Sequence, residues 1–215
     1  MDVPAVRIDL APAVATSSAS LEISVGTPIW LHWLRIAKAQ TTLARAGADR
    51  APAPAQISVV VEPRPVGTIT DEMYPAMLAI MATAHALDGL YDQIRGFAPS
   101  RQGKGRPARQ RVILEAIKDC FKVGKHWQRW LVQLDWLFAL RDPAVHPTHK
   151  AGPTVVHPSG WGNVAAEYAD YSADNAERAL ELLEDVLRTC VDNPKPASRG
   201  WATGTGKAAL NDLTS

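Results

Sequence analysis

The fold prediction for this chain starts from "WQRWLVQLDWLFALRDPAVHP", residues 127–147. The large apolar residues of this stretch recur at steps of three and four, which is the period of one face of an α-helix. They are Trp127, Trp130, Leu131, Leu134, Leu137 and Phe138. The spacing predicts a helix over about 126–141. A stripe this apolar has to be buried against other elements, so neighbouring helices are expected.

The flanking segments show the same period. Three further helices are predicted, one from about 71 to Gly96, one over about 107–123 and one that opens near Ser172. Their apolar stripes are Ile80, Ala84, Leu87, Tyr91 and Ile94, then Ile113, Leu114, Ile117, Cys120 and Phe121, then Ala176, Ala179, Leu180, Leu183, Leu187 and Cys190. Strand signals are weak by comparison. The sequence therefore predicts an all-α fold, an antiparallel helical bundle over residues 70–192.

The two ends of the chain show other patterns. Residues 1–69 are predicted to form an arm, an extra helix and a proline-rich linker. The extra helix covers about 28–46, where Trp30 and Trp33 lie on an apolar face that is expected to pack on the bundle. "VRIDL" and "SLEISV" indicate short strands or an extended arm, and "ISVVV" in the linker indicates one extended segment. Residues 193–215 are predicted to be a flexible tail.

The composition excludes wholesale disorder, because 47% of the residues are hydrophobic and 21% are charged. Cys120 and Cys190 fall inside apolar helical patterns and form no CxxC pair, which indicates buried thiols in a reducing compartment. The first residues lack the basic start of a signal peptide. No run approaches the roughly 20 apolar residues of a membrane span. The chain is therefore expected to be cytoplasmic, with no membrane partner.

Positive charge is concentrated between Gly96 and Lys150, where eleven Lys and Arg residues stand against four Asp and Glu residues. Such an excess would attract phosphate, and a solvated basic face is the alternative interpretation. The candidate RNA-binding residues are Lys118, Lys122, Lys125 and Arg129. Trp127 and Trp130, which lie among them, either stack on bases or belong to the core.

Arg141 continues the apolar stripe of the 126–141 helix by one more step, so its guanidinium is expected at the inward edge of the bundle, where it needs a partner. In an unbroken helix His146 would point about 140° away from Arg141. Pro143 and Pro147 each disfavour helical geometry at the residue before them. The chain is therefore expected to turn between Arg141 and His146. That turn would bring the two side chains to the same opening at the edge of the bundle.

The segment "RDPAVH", residues 141–146, resembles the signature of the HEPN superfamily (higher eukaryotes and prokaryotes nucleotide-binding domains). That signature is an arginine, usually a polar residue after it, and a histidine after a gap of four to six residues. Here the gap is four and the polar residue is Asp142. "AHALDGLYDQIR", "RVILEAIKDCF", "WLFALRDPAVHP" and "NAERALELLEDVL" resemble the successive helices of the domain in order. The resemblance covers about residues 70–192.

The resemblance implies a metal-independent endoribonuclease without a cofactor, or else a non-catalytic module that dimerises and binds RNA or a nucleotide. Active members are homodimers with a shared cleft, so a homodimer is expected. The catalytic residues would be Arg141, His146 and Asp142. His146 would take the proton of a ribose 2′-hydroxyl, Arg141 would brace the phosphate, and Asp142 would orient one of them. A toxin with a cognate antitoxin partner, phage defence and RNA processing are the expected roles.

The same residues allow other interpretations. Without the family, Arg141 and His146 fit an ordinary helix end whose arginine pairs with Asp142 or with carbonyls of the last turn. Asp88, which lies on the apolar side of its helix with His85, would help to build a cleft, although an aspartate that caps nearby backbone is commoner.

A metal site and a phosphate loop are not predicted. His146, His149 and His157, with Asp142, fit no tight zinc spacing. "GWATGTGKA", residues 200–208, mimics a phosphate loop but lacks the spacing, the final Ser or Thr and the preceding strand that such a loop requires.

Overall fold

The computed structural model describes residues 28–51, 67–98, 108–145 and 153–215. Its elements, in chain order, are α1 (Ile29–Ala48), α2 (Gly67–Ile94), α3 (Arg109–Cys120), α4 (His126–Val145), β1 (Thr154–Val156), β2 (Asn163–Ala165), α5 (Ala166–Asp170), α6 (Ala173–Asp192), α7 (Arg199–Trp201) and α8 (Lys207–Thr214). Short 3₁₀ turns cover Arg95–Phe97 and Pro196–Ser198, and a π-helical turn, Ala202–Gly206, joins α7 to α8. The prediction of an all-α helical bundle is confirmed, since the only sheet in these ranges is the β1–β2 hairpin. Among the described helices, none has the length and apolarity needed to pass through a lipid bilayer.

The helix bounds follow the apolar period closely in most places. α6 begins after Ser172, whose hydroxyl accepts a hydrogen bond from the backbone N–H of Asn175 and so caps the helix. α2 differs, because it begins at Gly67, before the predicted start, and contains Pro75. "VRIDL", "SLEISV", "ISVVV" and the basic loop 99–107 lie outside the described residues.

α1 and α2 form an antiparallel pair whose backbones approach closely at two glycines. A Cβ atom on Gly89 of α2 would lie 2.2 Å from the Cβ atom of Trp30, and one on Gly47 of α1 would lie 2.5 Å from the carbonyl oxygen of Asp71. Trp30 is 1% exposed, whereas Trp33 is half-buried. The prediction that the extra helix packs on the bundle is therefore confirmed, with Trp30 as the buried anchor.

Replacing Gly89 with alanine is expected to lower the free energy of unfolding by about 2 kcal/mol, because the new methyl group overlaps Trp30 and the helices must move apart. The better helix propensity of alanine, about 1 kcal/mol, offsets part of this cost. Urea denaturation measures the change. Gly96→Ala is the matched control, since nothing lies within 4 Å of its Cβ position. Equal stability of the two variants would contradict the close approach.

The interior of the bundle is one apolar cluster to which α1, α2, α3, α4, α6 and the C-terminal helices all contribute. Trp130 and Leu134 of α4 are completely buried, so the predicted stripe is the side that faces inward. Cys120 and Cys190 are free, buried thiols, as predicted. Burial raises the pKa of the Cys120 thiol to about 11. That thiol is therefore protonated and unreactive at neutral pH.

The prediction of a flexible tail over 193–215 is wrong. The ring of Trp201 stacks on Trp30 with centroids 6.5 Å apart and meets Phe121 edge-on at 5.4 Å. Ala209 and Leu213 of α8 are buried as well. These apolar side chains complete the core beside α1 and α6, which is why the segment is helical and packed.

A hairpin stands in the turn-rich stretch before α5, and Glu72 of α2 attaches it to the bundle. Glu72 is completely buried. Its carboxylate accepts hydrogen bonds from the Ser159 hydroxyl at 2.7 Å, from the indole N–H of Trp161 at 2.7 Å and from the backbone N–H of Ala173 at 2.8 Å. One carboxylate therefore joins α2, the β1–β2 turn and the first residue of α6.

Candidate functional site

Arg141 lies near the C-terminal end of α4, at the half-buried edge of the bundle. Its side chain is 25% exposed. Nη1 donates to Oδ1 of Asp142 at 3.1 Å, whereas Nε is buried and has no hydrogen-bond partner within the described chain. The guanidinium carbon lies 6.0 Å from the centroid of the Phe138 ring. Within the described residues, Arg141 therefore has N–H groups that donate no hydrogen bond. Its partner, the carboxylate of Asp142, is largely exposed to water.

The turn predicted between Arg141 and His146 is not produced by Pro143. α4 stays helical through Val145 with the proline inside it. Pro143 removes the backbone hydrogen bond to the carbonyl of Ala139, but Ala139 lies on the exposed face of α4, where water can pair with that carbonyl. The expectation of a break after Arg141 is therefore wrong. His146 lies outside the described residues, so its pairing with Arg141 stays a prediction.

A different histidine, His85 of α2, lies within electrostatic reach of Arg141. His85 is half-buried, and the ring of Trp33 meets it edge-on with centroids 4.8 Å apart. Burial lowers the pKa of His85, the charge of Arg141 lowers it further, and the charge of Asp88 acts in the opposite direction. The imidazole is therefore neutral at pH 7 and able to accept a proton.

Asp88 lies one turn after His85 on α2 and is held by Arg109 of α3. Arg109 Nε donates to Oδ1 of Asp88 at 2.6 Å, and the guanidinium carbon lies 4.4 Å from the centroid of the Tyr91 ring. The side chain of Asp88 is 25% exposed. The partner of Asp88 is thus an arginine, not the neighbouring backbone that the sequence favoured.

The candidate RNA-binding residues lie at the other end of α3 and α4. Lys125 precedes Arg141 by sixteen residues, which corresponds to about 24 Å along a helix that rises 1.5 Å per residue. The ammonium of Lys118 lies 4.2 Å from the centroid of the Trp127 ring, and Lys122 is exposed. The structure therefore does not bring these lysines to Arg141. They form a separate basic surface.

Arg129 is bound to Asp185 of α6 through its guanidinium. The same carboxylate accepts the indole N–H of Trp130, whose ring is completely buried. Burial raises the pKa of Asp185, but the hydrogen bonds from Trp130 and Arg129 outweigh that effect, so the pKa is lowered overall. Trp130 is thus a core residue that is unable to stack on bases, and Trp127 is half-buried beneath Lys118.

His157, one of the residues considered as a zinc ligand, uses both ring nitrogens inside the fold. Nδ1 accepts a hydrogen bond from the backbone N–H of Ser159 at 3.2 Å, and Nε2 donates to the carbonyl of Tyr168 at 3.0 Å. Across the described ranges, no three His, Cys, Asp or Glu side chains are grouped so that they could hold a metal ion. His146 and His149 lie outside those ranges.

Sequence reasoning missed Glu72 and the electrostatic effect of Arg141 on His85. Glu72 lies four residues before Ala76 and seven before Ala79, both fully buried, so extending the apolar stripe of α2 backwards would have placed a carboxylate in the core. His85 carries no such signal, because its approach to Arg141 depends on how α2 and α4 pack together.

Comparison with known proteins adds no relative. No family model matches this chain, and no curated protein and no solved structure is significantly similar to it. The resemblance to the HEPN superfamily accordingly rests on the RDPAVH segment and on the helices around it.

Proposed function

We propose that this chain is a metal-independent endoribonuclease of the HEPN type in which Arg141 braces the scissile phosphate. The observation that carries the proposal is the state of Arg141. Its guanidinium is partly exposed, and its buried Nε lacks a partner in the described chain. Buried donors are normally paired, and a guanidinium binds phosphate through two parallel N–H groups. Nε itself is closed to solvent, so a phosphate would bind the exposed part of the guanidinium, which now meets the carboxylate of Asp142.

In the family-type mechanism His146 takes the proton from a ribose 2′-hydroxyl, and the 2′ oxygen bonds to the adjacent phosphorus. The bond from phosphorus to the 5′ oxygen breaks, and the 5′ oxygen takes a proton from water. Arg141 stabilises the negative charge that develops on the phosphate. Asp142, to which Arg141 is hydrogen-bonded, orients the guanidinium. The products are a 2′,3′-cyclic phosphate and a free 5′-hydroxyl. We assign this activity to a cytoplasmic toxin, phage-defence or RNA-processing system, and an antitoxin protein would be a further partner in the first case.

The activity is tested by incubating the purified chain with a mixed RNA pool in EDTA and mapping the ends of the products. We expect cleavage at full rate, with 2′,3′-cyclic phosphate and 5′-hydroxyl ends. Cleavage that disappears in EDTA would exclude the metal-independent mechanism. Intact RNA after prolonged incubation would contradict the nuclease proposal altogether.

We propose that the active form is a homodimer. α1 carries Ile29, Ile36 and Leu43 at intervals of seven residues with exposures of 72%, 38% and 51%, and Tyr74 and Leu78 of the adjoining α2 are exposed too. An apolar surface of this kind on one helix pair marks a protein contact. The seven-residue spacing suits a helix that packs lengthwise against another helix.

Light scattering at micromolar concentration is expected to give the mass of a dimer for the wild type and of a monomer for Ile36→Glu, because the new charge would be buried in the interface. Val132→Glu is the matched control, since Val132 of α4 is 66% exposed and lies outside the α1–α2 pair. A monomeric wild type would contradict the dimer and weaken the nuclease proposal, because active members of the HEPN superfamily are homodimers.

The alternative function is a non-catalytic module that dimerises and binds RNA, a nucleotide or a protein partner. The observation that favours it is the unbroken course of α4 through Val145. Arg141 and His146 then lack the turn that Pro143 was expected to provide. RNA binding without any cleavage would establish this alternative.

A further inference from the structure

We propose that the basic surface at the turn between α3 and α4 is a second RNA-binding site, which holds the strand about 24 Å from Arg141. This inference rests on the proposed endoribonuclease function. It adds that the substrate is an RNA strand long enough to contact the basic surface and Arg141 at the same time. The reasons are the position of the surface, its unpaired cations and its separation from Arg141 along α4.

Backbone hydrogen bonds between three segments fix the position of the basic surface. The backbone N–H of Lys122 donates to the carbonyl of Asn193 at 2.9 Å. The backbone N–H of Lys195 donates to the carbonyl of Cys120 at 3.0 Å. The hydroxyl of Ser198 donates to the same Cys120 carbonyl at 2.6 Å, so the start of α7 lies beside the end of α3. The basic side chains are therefore carried by a hydrogen-bonded end of the bundle.

The cations of the basic surface are open to solvent. The exposed ones are Lys118, Lys122, Lys125 and Arg199. Among the described residues, none of these four forms an ion pair with a carboxylate. The ammonium of Lys118 lies 4.2 Å from the centroid of the Trp127 ring, which orients it without neutralising its charge. Arg129 is excluded from the surface, because Asp185 pairs with it.

Two kinds of negative group lie at this end of the bundle, and neither cancels the positive charge. α3 ends here, and the last carbonyls of a helix carry a partial negative charge. The ammonium of Lys195 donates to two of them, the carbonyls of Lys118 at 2.7 Å and Asp119 at 3.0 Å. The acidic side chains are those of Asp119, which is half-buried, and Asp192, which is exposed. The four exposed cations and Lys195 thus outnumber the two carboxylates.

α4 sets the distance between the basic surface and Arg141. Lys125 lies directly before α4, and Arg141 lies sixteen residues later, near the end of the same helix. At the spacing of a double-helical strand, about 3.4 Å per phosphate, about seven nucleotides cover the 24 Å between them. An RNA strand is a continuous row of negative charges, so it suits two cationic sites at a fixed separation.

The second site is tested without any cleavage by measuring the affinity of a 2′-O-methyl RNA, which is longer than this span and lacks the reacting hydroxyl. We expect the double variant Lys122→Gln/Lys125→Gln to bind it roughly 10-fold more weakly. The slope of log affinity against log salt should fall by about 1.4, because each phosphate contact of a single strand contributes about 0.7. Arg35→Gln/Arg50→Gln is the matched control, since aspartates already pair with both arginines. Equal affinity and slope in the two double variants would overturn the proposal.

Competition distinguishes RNA from an acidic protein as the occupant of the basic surface. We expect unlabelled RNA to displace the bound strand at a lower concentration of negative charge than polyglutamate does. Equal displacement by the two polymers would identify a general anion-binding surface and would overturn the assignment to RNA.

Cleavage assays then separate this inference from the proposed function. For a long RNA, Lys122→Gln/Lys125→Gln should raise KM roughly 10-fold with little change in kcat, because the lost contacts bind substrate and transition state alike. For a dinucleotide, which is too short to span the distance, the KM values of wild type and variant should differ far less. If the variant cuts the long RNA with the wild-type KM, this inference fails and the proposed function stands. If the wild type cuts neither substrate but its RNA binding depends on Lys122 and Lys125, the proposed function fails and the second site stands.

Discussion

Glu72→Ala is expected to lower the free energy of unfolding by about 4 kcal/mol, which is a large share of the stability of a typical domain. The change leaves three donors without their acceptor, namely the Ser159 hydroxyl, the Trp161 indole and the backbone N–H of Ala173. A buried donor that loses its partner costs about 1–3 kcal/mol. The N-terminus of α6 also loses a negative charge that interacts favourably with the helix dipole.

Urea denaturation followed by circular dichroism measures this loss. Glu181→Ala, on the exposed face of α6, is the matched control and should change the stability by less than about 0.5 kcal/mol. Glu72→Gln keeps the shape of the side chain but offers one acceptor oxygen instead of two. Its stability should therefore lie between that of Glu72→Ala and that of Glu181→Ala. If Glu72→Ala is as stable as Glu181→Ala, Glu72 is not the link between the hairpin and the bundle.

If the proposed function holds, Arg141→Ala is expected to reduce kcat/KM for RNA cleavage roughly 100-fold or more and to weaken RNA binding, since in that mechanism the charge would hold the phosphate in the ground state and the transition state alike. Arg141→Lys keeps the positive charge but lacks the planar guanidinium. We therefore expect it to restore RNA binding more fully than kcat/KM. Arg188→Ala is the control, because Arg188 lies exposed on α6 and pairs with Glu184. Equal cleavage by Arg141→Ala and the wild type would exclude Arg141 from the site.

His146→Ala tests the other member of the proposed reacting pair. If Arg141 and His146 are the reacting pair, His146→Ala should cut about as poorly as Arg141→Ala, and the double variant should cost much less than the sum of the single effects. If His146→Ala retains most of the activity, His146 is not the base of the proposed reaction. The fold should survive in either case, and chelator should change nothing. Product ends from each variant provide the check.

The positions of the helices could be predicted because the burial of one helix side repeats locally along the chain. The stripe that contains Trp130 and Leu134 is the buried side of α4, and Ser172 opens α6 as its cap. Trp30 was expected to bury the extra helix against the bundle, and it does. Each of these inferences uses residues within one or two turns of one another, where helix geometry is fixed.

The predictions that fail concern segments in which packing or solvation decides the structure. The chain after Pro194 was expected to be flexible, although Ala202, Ala209 and Leu213 recur at helical spacing and are buried with Trp201. Pro143 was expected to end α4, but the cost of a proline depends on whether water can reach the carbonyl that it leaves unpaired. In both cases packing and solvation outweigh the local conformational propensity of the residues.

Sequence alone was enough to establish the all-α class, the inward faces of the helices and the presence of a charged arginine at the end of one apolar stripe. The packing of the helices decides which side chains from distant parts of the sequence lie close together. Glu72 reaches Ala173, and the charge of Arg141 reaches His85, because α2 packs against α6 and α4 in one particular rotation. A local period specifies which side of a helix is buried. It does not specify which residue of another helix lies opposite, because that depends on crossing angles and axial shifts set by the whole core.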